Sequence, residues 1–144
     1  MVPARVGYRT IMDEVRGADP DVRFGFDHDD DAPRRARQAV QGMFGDEHDV
    51  FTENVRLAAS EMVTNVILHT EDGGELRAYQ RLIGRTVRIE VEDHTRIRPK
   101  AQRPSDDLPT GRGLRIIAEV SRRWGVLGSP SGKVVWAEFE RPVG

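Results

Sequence analysis

The stretch ASEMVTNVILHT (59–70) decides the architecture. It closes the strongest helical pattern in the chain, in which Phe51, Val55, Ala58, Met62, Val66 and His69 recur at threes and fours across 48–70. A stripe of that spacing must face a core. Gly73 and Gly74 stop it. The same stretch carries a second, polar line. Glu61, Asn65 and His69 stand at i, i+4 and i+8, about 6 Å of axial rise apart, with Met62 and Val66 beside them toward the core. A carboxylate, an amide and an imidazole along an apolar seam suit a magnesium and phosphate site. The amide oxygen is a hard ligand, and the carboxylate can hold a metal-bound or nucleophilic oxygen. Taken alone, the spacing fits an ordinary solvated face better, since polar i, i+4 pairs line most amphipathic helices.

On the N-terminal side, VRFGFDHD (22–29) alternates Val22, Phe24 and Phe26 with polar or small residues, which is strand spacing. Asp31 before Ala32-Pro33 reads as a helix N-cap with proline in the first turn. That helix is expected to run to Phe44, pack Ala36, Val40 and Met43 or Phe44, and end at Gly45. On the C-terminal side, 75–83 and 86–93 alternate as strands about a Gly84-Arg85 turn. The segment 94–110 holds Pro99, Pro104 and Pro109 and few apolar residues, and its length suits a functional lid. A helix follows Gly111–Gly113 with Leu114, Ile117, Ala118 and Val120 apolar. A second hairpin, 124–128 and 133–140, ends the chain, with Val134, Trp136 and Phe139 on faces set by strand alternation. Hairpins joined by helices predict an α+β two-layer α/β sandwich whose sheet is mixed and mostly antiparallel. Residues 1–20 are expected to form a tail or arm, and 21–144 one domain.

Composition narrows the function classes. The chain has 144 residues, 38% of them hydrophobic and 32% charged, enough for one core under an ionic surface. A net charge of -2 argues against a protein that binds nucleic acid through bulk positive charge. Zero cysteines remove disulfides, thiol catalysis and Cys-ligated zinc. With no long apolar run and no apolar signal core, a cytoplasmic protein without a membrane partner is expected. Charge is uneven. Eight acids face four arginines within 1–31, whereas eight bases face three acids within 96–123. The basic stretch reads as a solvated face, or as a site for phosphates or an acidic partner protein.

Common nucleotide motifs fail. GSPSGKV (128–134) is one residue short of a P-loop and lacks the hydroxyl after Lys133. GRGLRI (111–116) has two of three dinucleotide-fingerprint glycines and follows a loop instead of a strand. The histidines His28, His48, His69 and His94 have no metalloprotease pairing. Two other features suit a nucleotide. Asp93 ends a strand where a carboxylate can accept from an exocyclic amine, or it is a simple turn residue. TGRGL (110–114) opens a helix with glycines that let backbone N–H groups approach a phosphate, or merely cap it.

In their fixed order, SEMVTNVILHT, VED, GRGLRIIAEVSRRWGV and GKVVWAEF resemble the GHKL ATPase/kinase superfamily with its Bergerat nucleotide fold, over roughly 30–140. Closer still, they resemble the anti-sigma-factor serine kinases of bacterial partner-switching systems and their single-domain actinobacterial relatives. The resemblance implies that Asn65 is the magnesium ligand and Glu61 the catalytic base or water-orienting acid. It makes Asp93 the reader of the adenine amine and residues 94–110 an ATP lid. The implied nucleotide-binding set is Asn65, His69, Asp93, Thr110, Gly111, Arg112, Gly113 and Leu114. Two positions depart from the family pattern. His94-Thr95-Arg96 follow Asp93 where glycines usually stand, and Val134 or Val135 replaces a threonine of the last strand.

The resemblance implies an ATP- and magnesium-binding anti-sigma factor with serine/threonine kinase activity toward an antagonist protein. Its partners would be a sigma factor, an anti-anti-sigma-type antagonist, or both, and it allows a homodimer. The alternative is a non-catalytic nucleotide-binding switch that sequesters a protein partner.

Overall fold

The computed structural model describes residues 18–82, 85–94, 112–129 and 132–142. Most of the expected tail, all of 95–111 and the tip of the last hairpin lie outside them, as do Thr110 and Gly111. In chain order the elements are β1 (Val22–Phe26), α1 (Ala32–Gln41), α2 (Val50–His69), β2 (Gly74–Arg81), β3 (Thr86–Asp93), α3 (Arg112–Val120), β4 (Arg123–Ser129) and β5 (Gly132–Glu140). The five strands are ordered β1-β2-β3-β5-β4. Every described pairing is antiparallel. The expected two-layer α+β architecture is the observed one, with the helices on one face of the sheet.

Strand alternation creates that face. Leu76, Ala78, Ile89, Val91, Val135, Ala137 and Phe139 are buried, and the register sets Leu76 opposite Val91, Ala78 opposite Ile89, and Ile89 opposite Ala137. Against them lies α2, flanked by α1 and α3. Having neighbours on both sides, α2 is buried well beyond one stripe: Ala59, Val63 and Thr52 join Phe51, Val55, Ala58, Met62 and Val66 in the interior. Each fully buried aliphatic side chain contributes about 1.5–3 kcal/mol relative to exposure. His69, the last member of the expected core stripe, is exposed, because the helix ends there beyond the sheet's apolar rows.

The other expectations shift at their edges. The first helix stops at Gln41, and Met43 and Phe44 follow in turns, with Gly45 at φ 59. Phe44 is buried all the same. Asp31 sits at the N-cap position but caps nothing, since Arg34 takes both its carboxylate oxygens at 2.8 and 2.7 Å. That hydrogen-bonded pairing holds the Asp31 carboxyl below the usual carboxylate range. The working cap is Asp49, whose Oδ1 accepts from Thr52 N–H at 2.9 Å and starts α2. The third helix begins at Arg112, so Gly113 lies within its first turn instead of ahead of it. The β2–β3 turn starts earlier than Gly84, with Leu82 at φ 58 and Arg85 N–H donating to Leu82 O at 3.2 Å.

The outer face of the sheet carries the opposite parity. Arg77 contacts Glu75, Glu90 and Glu92, while Arg88 contacts Glu90 and Glu138, both at 2.7 Å. Burial opposes the charge on Arg77, but its carboxylate partners outweigh that and hold the guanidinium charged more firmly than usual. Arg88 is wholly buried, its guanidinium 4.5 Å from the Trp136 ring centroid. A slip of one residue would drive these ions into the apolar layer, so the lattice also fixes register.

Candidate functional site

The connection leaving α2 places the site. Thr70 N–H donates to Val66 O at 2.9 Å and its Oγ1 hydroxyl to Asp72 O at 2.6 Å, closing the helix and turning the chain back. A Cβ on Gly73 would overlap the Phe26 carbonyl and lie 2.7 Å from Asp27 Cα, so only glycine passes there. His94 N–H then donates to Gly73 O at 2.9 Å. On the other side of the turn, Gly74 pairs with both Phe26 and Asp93. The C-terminal end of α2 and the ends of β1, β2 and β3 therefore meet at one edge of the sandwich. Sequence reading passed over a further tie, His28 Nε2 at 2.8 Å from the Ile67 carbonyl, which anchors the last turn of α2 to the chain after β1.

Asp93 has the parity of Ile89 and Val91, which turns its side chain to the helix-covered face, and it is buried. The β3–β5 ladder ends at Glu92 opposite Val134. The next backbone donor of β5, Lys133 N–H, goes to Asp93 Oδ1 at 3.2 Å. The residues of the last strand beside this carboxylate are thus Gly132 and Lys133, just ahead of the expected Val134 or Val135. Both open the motif GKVVWAEF, but a strand-end glycine by itself signals only a turn, and nothing local in the sequence pairs it with Asp93.

Along α2 the polar line is graded. Glu61 is half-buried, Asn65 is buried and His69 is exposed. Among the described residues the Asn65 Nδ2 is enclosed without a hydrogen-bond partner. A buried amide left unsatisfied costs about 1–3 kcal/mol. Amide oxygen and nitrogen exchange places by a half-turn of the side chain, so this position can offer either a donor or a metal-ligating oxygen to a ligand. α2 packs across β3 and β5, with Asn65 buried and Glu61 half-buried one turn before it. Leu114 is half-buried on α3, which packs beside α2. His69 stands at the rim.

Among the described residues no group of three His, Asp or Glu side chains could hold a metal by itself. A magnesium at Asn65 would take its other ligands from phosphates and water, as that ion commonly does. The orphaned amide and the buried carboxylate fit a polar ligand such as a magnesium nucleotide. No described helix is long and apolar enough to cross a membrane.

The fold is an open antiparallel sheet backed by helices on one face, with Asn65 on the central helix and Asp93 at the end of β3 both buried. The chain belongs to the histidine kinase-like ATPase domain family, which matches residues 26–139. Among solved structures, that of the RsbU and RsbW domains of Rv1364c from Mycobacterium tuberculosis is similar, with a TM-score of 0.62 at 19% identity. The likeness covers 85% of this chain and 33% of that one, so the chain spans about a third of its length. It is a likeness of fold. No curated protein matches the chain by sequence.

Proposed function

We propose that this domain binds ATP with magnesium and is an anti-sigma factor with serine/threonine kinase activity toward an antagonist protein. The observation that carries the reading is the buried Asn65 amide, whose Nδ2 has no hydrogen-bond partner among the described residues, one helical turn from Glu61 in a fold that also buries Asp93. The family match, the motif resemblance and the fold shared with a structure containing an RsbW domain support it.

In this reading Asn65 is a magnesium ligand, and the ion would neutralise charge on the phosphates. Asp93 accepts a hydrogen bond from the adenine amine. His69, Thr110, Gly111, Arg112, Gly113 and Leu114 complete the nucleotide site, with the backbone at the start of α3 facing phosphate. Glu61 accepts the proton of a serine or threonine hydroxyl of the antagonist. The hydroxyl oxygen bonds to the γ-phosphorus as the bridging bond to the β-phosphate breaks, and ADP leaves.

Glu61→Ala tests the chemistry. Nucleotide binding should persist while transfer to the cognate antagonist falls by a factor of about 10² to 10⁴, the usual worth of general-base assistance. Radiolabelled ATP with that antagonist provides the assay. A wild-type protein that binds ATP tightly and phosphorylates no antagonist would leave the sequestering switch as the function.

A further inference from the structure

The backbone of β5 does more than border the site: it closes onto Asp93. The β3–β5 ladder stops at Glu92 and Val134, and the donor that would continue it is diverted to a side chain, Lys133 N–H to Asp93 Oδ1. The residue before it, Gly132, is pressed against the same carboxylate. A Cβ built on Gly132 would overlap Asp93 Oδ1, lie 2.8 Å from the Asp93 carbonyl oxygen and 3.1 Å from Cγ. Real Cβ atoms essentially never come within 3.0 Å of another atom in this way. A side chain at this position must therefore displace the carboxylate from where Lys133 holds it, or move the two strand backbones apart.

We infer that Gly132 is a positioning residue for base selection: its missing side chain lets the Lys133 amide fix the Asp93 carboxylate in the orientation that accepts from an adenine amine. The inference rests on the nucleotide reading proposed above. Adenine offers an exocyclic amine where guanine offers a carbonyl, so a carboxylate held in place favours ATP over GTP. One displaced by a methyl group loses the distinction. Hydrogen bonds to charged groups are worth about tenfold to a hundredfold in affinity.

The experiment compares wild-type, Gly132→Ala, Asp93→Ala and the double variant by calorimetric titration with ATP and with GTP. Amide NMR spectra of the nucleotide-free proteins are recorded alongside. The wild type should prefer ATP, and Gly132→Ala should shrink the preference by about tenfold or more. Asp93→Ala should shrink it too, with the double variant no less selective than Asp93→Ala alone. A purely structural glycine would weaken both nucleotides alike and leave the ratio unchanged. A folded Gly132→Ala with the wild-type ratio overturns the inference. If Gly132→Ala does not fold, the double variant decides, because truncating Asp93 removes the overlap with its carboxylate. Recovery of the fold shows that the missing side chain makes room for the carboxylate and supports the inference; failure to recover puts the clash on the Asp93 carbonyl oxygen, which truncation leaves in place, and overturns it. A wild type that binds no nucleotide, or both equally, refutes the reading of the site instead. The Lys133 amide resonance then still reports on the geometry: it should shift in both single variants, and an unmoved resonance in Gly132→Ala overturns the positioning role.

Discussion

Replacing Asn65 with Ala should separate what the residue does for the fold from what it does for a ligand. Its Nδ2 is buried without a partner among the described residues, and an amide left so carries about 1–3 kcal/mol of uncompensated desolvation. Truncation removes that term, and alanine is the better helix former by about 0.5 kcal/mol. Against this stand the few van der Waals contacts of an amide group, each worth about 0.1–0.2 kcal/mol. The nucleotide-free variant should thus unfold in urea with stability equal to or about 1–2 kcal/mol above the wild type. With ATP and magnesium the order should invert. A ligand at a hundred times its Kd stabilises the wild type by about 2.7 kcal/mol, and the variant should lose the magnesium-dependent part of that gain. Urea titrations with and without nucleotide measure both quantities. If Asn65→Ala loses more than about 1 kcal/mol without ligand, the amide is satisfied inside the fold and the reasoning is wrong.

Two further predictions concern the scaffold. Arg88→Met should cost about 3 kcal/mol in urea denaturation, because among the described residues it leaves buried Glu138 with only Arg123, 3.4 Å away, to balance it. Adding Glu138→Leu should recover most of that loss; equal instability of single and double variants would show that packing over Trp136 matters and the ion pair does not. At the start of α2, the Thr52 N–H and then Arg141 hold the Asp49 carboxyl below the usual carboxylate range. A depressed folded pKa contributes stability that is present above the unfolded value and lost as pH falls through the folded one. Asp49→Ala should therefore be less stable than wild type at neutral pH, with the two curves converging in acid. A difference independent of pH would remove Asp49 from the cap.

The order and type of the elements were legible because the periodicities are strong, above all the threes and fours of α2 and the alternation of β2, β3 and β5. Asn65 and Asp93 were legible as candidates through the order of the motifs that carry them, since alone the first fits a solvated helix face and the second a strand-end turn. What local reading missed depends on partners far away in sequence. Asp31 and Asp49 both look like caps, and the choice is made by Arg34, which takes the first, and by Arg141, which braces the second. His69 continues the spacing of the core stripe, but the sheet's apolar rows end before it. Gly132 looks like any turn glycine until β5 is laid beside β3, and the register that does so joins residues some forty positions apart.

The charged outer face of the sheet also bears on how the domain responds to heat and salt. Its ion pairs grade from Arg23–Glu75, with 55% and 22% of the two side chains exposed, to Arg88–Glu138, with 0% and 5%. Dissolved salt screens the exposed end readily and the enclosed end hardly at all. Warming acts on the other end. The hydration that charged groups forgo on burial becomes less favourable to them as temperature rises, so Arg88 and Glu138 are held at a smaller penalty in a hot solution than in a cold one. The two faces of one sheet thus follow different thermometers: the apolar rows against α2 weaken on cooling, and the ionic rows behind them are least costly in the heat.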